Sequence, residues 1–414
     1  MQLTKVLVIT PQYAPDLGPS APIYTALCED LQQMGCDVTV VTGFPNYAGS
    51  DTQYPRSRRL FQEETVNGVR IRRSYVLTVP KSSLWRRLLY HLSFNVFSTL
   101  SALRTGRPDI VLGDAPTLWS GLPLLTKAVL PGVPFVYVVH DIYPDVLFRL
   151  GVVTNQRILN VIERVEGFFY NRAVQISVLS LGFKENLLRK GISQDKIVVI
   201  PACVDVDFIR PLPRDNGLRE RWGLKDKFVV LYAGNIGLSQ GLETSLEAAK
   251  LLMDHPDIVL ALVGEGATKA SLERMASENG LNNVRFFPFL PREDVPLIYA
   301  LSDCCLVSLK RDIVVESVPS KSYSIMASGR PIIATVDQNT EVGRFLGEVQ
   351  CGLCVTPEDP KALAEAILRL HKDSFLCSEM GRRGREYVVE RYSRKVAARQ
   401  YCGVIEHFAT DRVQ

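Results

Sequence analysis

The sequence predicts an α/β chain of two doubly wound domains facing a central cleft, and three observations carry that expectation. Short runs that are apolar throughout alternate with helical segments, which is the pattern of parallel strands covered on both faces. The plan occurs twice along the chain. The two halves meet at 200-IPACVDVDFIRPLPR-214, where prolines and acids replace apolar periodicity. At 414 residues the chain exceeds one ordinary core. The reading is therefore two Rossmann-like domains, 1–203 and 204–386, and a helical segment, 387–414, that packs back toward the first.

In the first half VLVIT (6–10) leads through a glycine loop to a helix near Ile23–Met34. DVTVVT (37–42) and VRIRRSY (69–75) read as the second and third strands, and Leu84–Leu103 as a helix. DIVLGD (109–114), PFVYVVH (134–140), VQISVLS (174–180) and KIVVIP (196–201) complete the half. FVVLYAG (228–234), IVLALVG (258–264), VRFFPFL (284–290), CCLVSL (304–309), PIIAT (331–335) and GLCVTP (352–357) are the strands of the second. The last helical segment is about Arg394–His407. In open α/β sheets ligands bind outside the carboxyl ends of the strands, so candidate residues are sought there.

Composition narrows the function class. Apolar content of 46% with 22% charged residues is that of a soluble globular chain. From Thr65 to Pro108 there are eight basic residues (Arg70, Arg72, Arg73, Lys81, Arg86, Arg87, Arg104, Arg107) and no acid. Such a surface attracts phosphates, nucleic acid or anionic lipid, and is equally read as the basic rim of a core helix. It lacks a reading motif, so nucleic acid is not expected as a partner. Nine cysteines without framework spacing argue for reduced thiols and the cytoplasm. MQLTKVLVIT is already a strand rather than a leader, and the most apolar window, Thr117–Val139, is broken by Gly121, Pro123, Pro131, Gly132 and Pro134.

Two stretches carry the chemistry. In 229-VVLYAGNIGLSQGLETSLEAAKLL-252 a strand ends at Gly234, and Gly237 and Gly241 precede a helix. Strand, glycine turn and helix together seat an anion, because backbone amides approach it and the helix presents its positive end. The turn itself has no Lys or Arg. In 316-ESVPSKSYSIMASGRPIIAT-335 a helix begins near Pro319, with Ser320 and Lys321 in its first turn and Gly329 as C-cap. A cation is unfavourable at a helix start unless an anion lies beside it. Lys310 and Arg311, just past a strand end, add charge to the same rim. The ligand this implies is a diphosphate, held by the turn and neutralised by Lys321. His140 and Asp141 stand at another strand end, to be read either as site residues or as a buried histidine and a helix cap. Asp205-Val206-Asp207 resembles a metal-binding pair but lies in the linker.

Taken with 11-PQYAPDLGPSAPIYTALCEDLQQMGCDVTVVTGFPNY-47, VVHDIYPDVLFRLG (138–151) and IPACVDVDFIRP, these stretches resemble the retaining GT-B glycosyltransferases that build bacterial surface polysaccharides, the glycosyltransferase family 4 type. The resemblance spans nearly the whole chain. It is nearest to the colanic acid and O-antigen transferases for fucose or N-acetylfucosamine. It implies an N-terminal acceptor-binding domain and a C-terminal nucleotide-sugar-binding domain. Family members usually carry Arg and Lys in the turn where Asn235 and Gln240 stand here. Of the family's paired glutamates, Glu316 matches the first, which contacts the transferred sugar. Ser324 stands at the second, which holds the ribose, and Glu341 is a candidate substitute. Gly18 and its neighbours bring amides near the donor phosphate.

The function expected is transfer of a hexosamine or deoxyhexose from a nucleotide diphosphate, UDP foremost, to a polyprenyl-diphosphate-linked saccharide, with retention and without a divalent metal. Catalytic roles fall to His140, Asp141, Lys321 and Glu316. Donor binding falls to Gly18, Asn235, Gly237, Gln240, Gly241, Lys310, Ser320, Ser324 and Glu341. Along Leu84–Leu103 the apolar residues Leu84, Leu88, Leu92, Val96, Phe97, Leu100 and Leu103 recur at helical spacing, with Trp85, Arg86 and Arg87 at one end. Such a helix either rests on the anionic inner leaflet, placing the enzyme on the cytoplasmic face of the plasma membrane, or faces the core. Two other readings keep the fold: a non-hydrolysing sugar-nucleotide epimerase, and a non-catalytic nucleotide-sugar-binding scaffold.

Overall fold

A computed structural model describes residues 3–18, 20–46, 59–77, 84–149, 153–311 and 319–410. The chain divides into two compact units, Met1–Ala202 with Arg394–Gln414, and Cys203–Ser393.

The first unit runs β1 (Lys5–Ile9), α1 (Ala21–Gln33), β2 (Asp37–Gly43), β3 (Phe61–Val66), β4 (Val69–Ser74), α2 (Leu84–Leu103), β5 (Ile110–Asp114), α3 (Thr117–Leu124), β6 (Phe135–Val139), α4 (Asp145–Arg149), α5 (Gln156–Arg172), β7 (Gln175–Val178), α6 (Leu181–Arg189) and β8 (Ile197–Val199). The second runs α7 (Gly217–Arg221), β9 (Phe228–Ala233), α8 (Glu243–Leu251), β10 (Ile258–Val263), α9 (Lys269–Glu278), β11 (Val284–Phe287), α10 (Val295–Ala300), β12 (Cys304–Ser308), α11 (Ser320–Ala327), β13 (Ile332–Thr335), α12 (Glu341–Val349), β14 (Gly352–Val355), α13 (Pro360–Lys372) and α14 (Ser374–Arg391). Residue 386 lies inside α14, an unbroken helix, and α15 (Arg394–Thr410) belongs to the first unit. There Arg394 binds Asp30 of α1 with Nε to Oδ2 at 2.8 Å, and the Tyr401 and Ser177 hydroxyls meet at 2.9 Å.

The sheet orders explain where ligand sites can form. The first is β3-β4-β2-β1-β5-β6-β7-β8 and the second β11-β10-β9-β12-β13-β14. The second sheet is parallel throughout, in the doubly wound order whose direction reverses between β9 and β12. In the first sheet the reversal falls between β1 and β5. At such a point the loops leaving neighbouring strands diverge, and the gap beyond the strand ends accepts a ligand. The strands are apolar on both faces for the same topological reason: Leu7, Ile9, Val111, Tyr137 and Ile176 fill one core, and Val230, Leu246, Leu260, Leu306 and Ile333 the other.

The expectation of a fully parallel first sheet is corrected at its edge. Phe61–Val66 is an additional strand, antiparallel to β4, so that β4 is fourth in the chain rather than third. Its charged sequence, FQEETV, concealed it. The connection is Asn67-Gly68, with φ of 49° and 83°, a two-residue hairpin turn.

Candidate functional site

In the second unit the switch point is built from three loops. Gly234 follows β9 with φ of 141°, a backbone conformation that favours glycine. Its amide donates to Val263 O at 2.9 Å, and that of Ile236 to Glu265 O at 2.9 Å. Thr268 closes the loop by donating its hydroxyl and amide to Ile236 O, at 2.9 and 3.1 Å. Gly264 presses on the Gly234 carbonyl so closely that a Cβ would collide with it. From β12, the Ser308 hydroxyl donates to Gln240 O at 2.6 Å and the Lys310 amide to Ser239 O at 2.9 Å. The Lys310 side chain covers Gly241, where a Cβ would stand 2.9 Å from Cγ.

Lys321 enters this cradle from the first turn of α11. Its Nζ donates to Tyr232 Oη at 2.8 Å and lies 4.0 Å from the ring centroid. Tyr232 Oη in turn donates to Asn235 O at 2.6 Å. A Cβ on Gly234 would be 3.4 Å from Lys321 Nζ, so the ammonium reaches the glycine turn itself. Among the described residues no carboxylate pairs with this ammonium. Burial pulls it down to about 8, because nothing offsets the cost of desolvating the charge. The first turn of α11 holds no acid and its N-cap makes no side-chain hydrogen bond.

The turn after β9 leads to a helix past Gly241, as the sequence reading expects. A single 3₁₀ turn, Leu238–Gln240, intervenes, and α8 opens on Glu243, which answers the helix dipole from within. The positive end facing the cradle is therefore that of α11. Gly237 N–H donates to Gln240 Oε1 at 3.0 Å, so a side-chain oxygen sits where the amide would meet an anion. Asn235 is exposed.

The remaining donor-side residues are spread along α11 and beside it. Ser320 is exposed at its first position, and Ser324 is half-buried with its hydroxyl bonded to Tyr299. Glu341 opens α12 after the Thr340 cap, and its charge acts on the stacked Tyr323 and Tyr392, whose rings are 4.7 Å apart. Glu316 lies outside the described residues.

In the first unit the switch point holds a different cluster. Asp114, the last residue of β5, is fully buried, and its Oδ2 accepts from Thr10 Oγ1 at 3.1 Å, tying the β5 end to the β1 end. His140 Nδ1 lies 3.6 Å from Asp114 Oδ1, with its ring 5.5 Å from that of the buried Tyr24. Burial pushes Asp114 up to about 8 and pulls His140 down to about 4. At neutral pH the pair is thus a carboxylic acid beside a neutral imidazole, a hydrogen-bonding surface without net charge. Asp141 follows, exposed. The Gly18 amide donates to Asp16 Oδ1 at 2.8 Å, and the Ser20 amide and hydroxyl donate to Gln12 Oε1 at 3.2 and 2.8 Å. In the linker, Asp205 Oδ1 accepts from the amides of Asp207 and Phe208 at 3.1 and 2.9 Å and caps a turn.

Three contributors were not singled out in the sequence: Tyr232, Asp114 and the Val263-Gly264-Glu265-Gly266 loop. Asp114 and the VGEG loop both sit at strand carboxyl ends, the signal that picked out His140. Tyr232 lies inside an apolar run and gives no signal of its own.

The α2 stripe does not face the core. Leu88, Leu92, Val96, Leu100 and Leu103 are 38–56% exposed, while Tyr90, Phe94 and Ala102 are buried. Leu118 and Leu122 of the adjoining α3 are also exposed, at 40% and 42%. Asn95 holds the two helices together, donating to Leu118 O and accepting from Leu122 N at 3.0 Å. No described helix is long and apolar enough to cross a membrane.

Comparison with known proteins gives the same picture from outside. Residues 216–387 match the family described as Glycosyl transferases group 1, and residues 20–203 match the Glycosyl transferase 4-like domain. WcaI of Escherichia coli K12, a glycosyl transferase ascribed to colanic acid biosynthesis, is 30% identical over 408 residues, 96% of this chain and 98% of that protein. WbjE of Pseudomonas aeruginosa, classed as a glycosyltransferase, is 28% identical over 75% of this chain and 77% of its own length. Among solved structures, Anabaena Alr3699/HepE in complex with UDP superposes with a TM-score of 0.72 at 16% identity, covering 98% of this chain and all of that one. The fold is thus GT-B, two Rossmann-like α/β domains.

Proposed function

This chain belongs to the group 1 glycosyltransferases with a 4-like amino-terminal domain, and on that premise we propose that it moves a hexosamine or deoxyhexose, such as N-acetylfucosamine, from UDP to a polyprenyl-diphosphate-linked saccharide. The observation that carries the donor half is Lys321: a half-buried ammonium bonded to the Tyr232 hydroxyl, with no carboxylate partner among the described residues, held against a glycine turn. A diphosphate there supplies the missing counter-charge, and its own charge raises Lys321 back toward full protonation. Gln240 Oε1 leaves the Gly237 amide as a phosphate oxygen arrives.

Breaking the anomeric C–O bond sends its electron pair to the diphosphate, where Lys321 and the α11 amides stabilise the developing charge. The acceptor oxygen attacks from the leaving group's face, its proton passing to a phosphate oxygen, so configuration is retained and no divalent ion takes part. The uncharged His140–Asp114 pair suits sugar or acceptor hydroxyls, with Asp141 orienting them. Glu316 contacts the transferred sugar. The outward apolar stripe of α2, with Arg86, Arg87, Arg104 and Arg107 at its two ends in sequence, rests on the anionic inner leaflet where a lipid-linked acceptor is found; Arg70, Arg72 and Arg73 of the same basic segment are instead paired with Asp37, Glu63 and Glu64.

A thermal-shift panel of nucleotide diphosphates and their sugars tests the donor half. UDP or a UDP-sugar is expected to raise the midpoint by mass action, and Lys321→Ala to abolish that rise with folding intact. An unchanged UDP shift in Lys321→Ala protein would refute the placement. For the membrane half, flotation with anionic vesicles is expected to be lost when Leu92 and Leu100 are replaced by Glu. Flotation that survives those changes and Arg86→Glu/Arg87→Glu removes the leaflet from the reading.

A further inference from the structure

A second feature of the carboxyl-terminal unit lies at the opposite edge of its sheet. A groove of about 620 Å³ opens at the amino ends of β9, β12 and β13, between Phe228, Asp303 and Pro331 on the sheet side and one face of α14 on the other. It is remote in the fold from the donor cradle: Lys321 opens α11, whereas Gly329 and Arg330, which line the groove, follow that helix's last turn.

The groove is electrostatically incomplete. Arg214, Arg330, Arg382 and Arg385 line it; among the described residues Asp303 is the one carboxylate on its wall, while Asp257 pairs with the lining His371 at 2.6 Å from outside. Asp303 is already committed, to Arg214, to Arg219 Nη2 at 3.4 Å and to the Val229 amide at 2.7 Å. Arg330 is left with backbone carbonyls alone, donating Nη2 to Ala300 O at 2.6 Å and to Leu212 O at 3.2 Å. Its Nε is buried with no hydrogen-bond partner among the described residues, as is Nδ1 of His371 on the facing wall. Arg385 likewise spends its donors on Ile209 O, Ala327 O and Val206 O. Burial lowers both Arg330 and Arg385. Arg382, on the same face of α14, is more than half exposed and pairs only with Glu379 and Glu386 of its own helix.

Arg330 and Arg385 are half-buried with backbone carbonyls as their hydrogen-bond acceptors, so an anion in the groove would supply a counter-charge that carbonyl dipoles do not. Planar guanidinium donors match the paired oxygens of phosphate and carboxylate alike. The volume exceeds that of a bare phosphate, and the rings of Phe228 and His371, 5.2 Å apart, give it an apolar wall. We propose that this groove is a second ligand site, for a small phosphorylated molecule such as a sugar phosphate, separate from the nucleotide cradle.

The test uses full-length protein and isothermal titration with inorganic phosphate and with glucose 1-phosphate, at constant ionic strength set with chloride. Saturable binding is expected in the unaltered protein and in Lys321→Ala protein alike, because the donor cradle is not involved. Arg382→Gln and, separately, Arg214→Gln are each expected to weaken it by about tenfold, the loss of one charge-assisted contact. Both side chains are about half exposed, so either variant folds even if the other fails. Tighter binding of glucose 1-phosphate than of inorganic phosphate supports the sugar-phosphate assignment. Binding that disappears in Lys321→Ala, that is indifferent to both arginine changes, or that chloride reproduces overturns the proposal.

Discussion

The two units place an ionisable cluster at the same topological position, the carboxyl end of the strands flanking a switch point, and burial acts on the two in contrasting ways. In the amino-terminal unit it neutralises both partners. Asp114 holds its proton, His140 lacks one, and Thr10 satisfies the second carboxyl oxygen. Asp114 Oδ1 and the Tyr24 hydroxyl stay buried without a hydrogen-bond partner among the described residues, so that cluster keeps polar atoms to offer although it carries no net charge. In the carboxyl-terminal unit a single ammonium meets a phenol and a glycine turn, with no carboxylate beside it among the described residues. One cluster sheds its charge on burial, and the other keeps a charge that burial disfavours. Under the proposed function, a neutral donor–acceptor pair suits hydroxyl groups and a desolvated cation suits phosphate, the division of labour that sugar transfer would use.

The largest effect that separates the clusters comes from Lys321→Met. Catalysed transfer is expected to fall by about 10²–10³-fold, the usual consequence of deleting a group that stabilises a leaving group. Stability without ligand moves the other way. The folded pKa of Lys321 is depressed to about 8, so its protonated form costs folding free energy at every pH below that value, and the cost fades as pH rises toward 10.5. Removing it is expected to stabilise the apo unit at pH 7 by on the order of 1–2 kcal/mol, net of the lost bond to Tyr232. Denaturant unfolding at pH 7 reads this directly, and a variant both less active and less stable would contradict the view that burial disfavours this charge.

The amino-terminal cluster is expected to reveal itself in pH. Asp114 titrates at about 8 when folded against 3.8 when unfolded, so the folded state binds the extra proton and stability falls as pH rises across that window. His140, at about 4 folded against 6.5 unfolded, has the contrary sign: stability is lost as pH drops from 6.5 to 4. The two slopes oppose one another below 6.5. Between 6.5 and 8 only Asp114 acts, and the loss is on the order of 2 kcal/mol. Asp114→Asn is expected to flatten the profile from pH 6.5 to 8 while leaving His140's acid limb. If the slope persists in that variant, Asp114 is ionised in the folded protein and the contrast between the units collapses.

How much of this was legible in the sequence follows from where each signal lives. Strands apolar on both faces, and the helix start at Lys321, are local patterns that survive in a single row of letters. Asp114 was passed over although its strand was recognised, because a lone acid after LG reads as a terminator. Its partner Thr10 is 104 residues away, adjacent only because the sheet order brings β1 beside β5. Tyr232 is the sharper case: inside VVLYA it is one more core residue, and its hydroxyl becomes part of the site only when Lys321 arrives from 89 positions downstream. The sequence left the turn of α2 open between an outward stripe and a core-facing one. Its apolar spacing is right for a buried stripe, and only the opposite face, with Tyr90 and Phe94 turned inward, shows which side the core took.

The smallest effect tests one structural asymmetry between the sheets, the antiparallel strand found among the described residues in the first. β3 pairs with β4 from Phe61–Ser74 through Val66–Val69 around Asn67-Gly68. Gly68 sits at φ 83°, where an L side chain is strained, and a Cβ there would come within 3.2 Å of Gln32 Cγ in α1. The neighbour is a flexible side chain, so the backbone conformation dominates the cost. Gly68→Ala is expected to destabilise the amino-terminal unit by about 1 kcal/mol. The effect should show as faster hydrogen exchange at the amides of β3 and β4, without a change at β9 or β12 or in nucleotide binding. Gln32 also accepts from the Val38 amide at 3.0 Å, so any larger loss would signal that the hairpin turn and the α1–β2 junction yield together. Protection unchanged across β3 would mean that this edge contributes nothing to holding Thr10 and Asp114 in register.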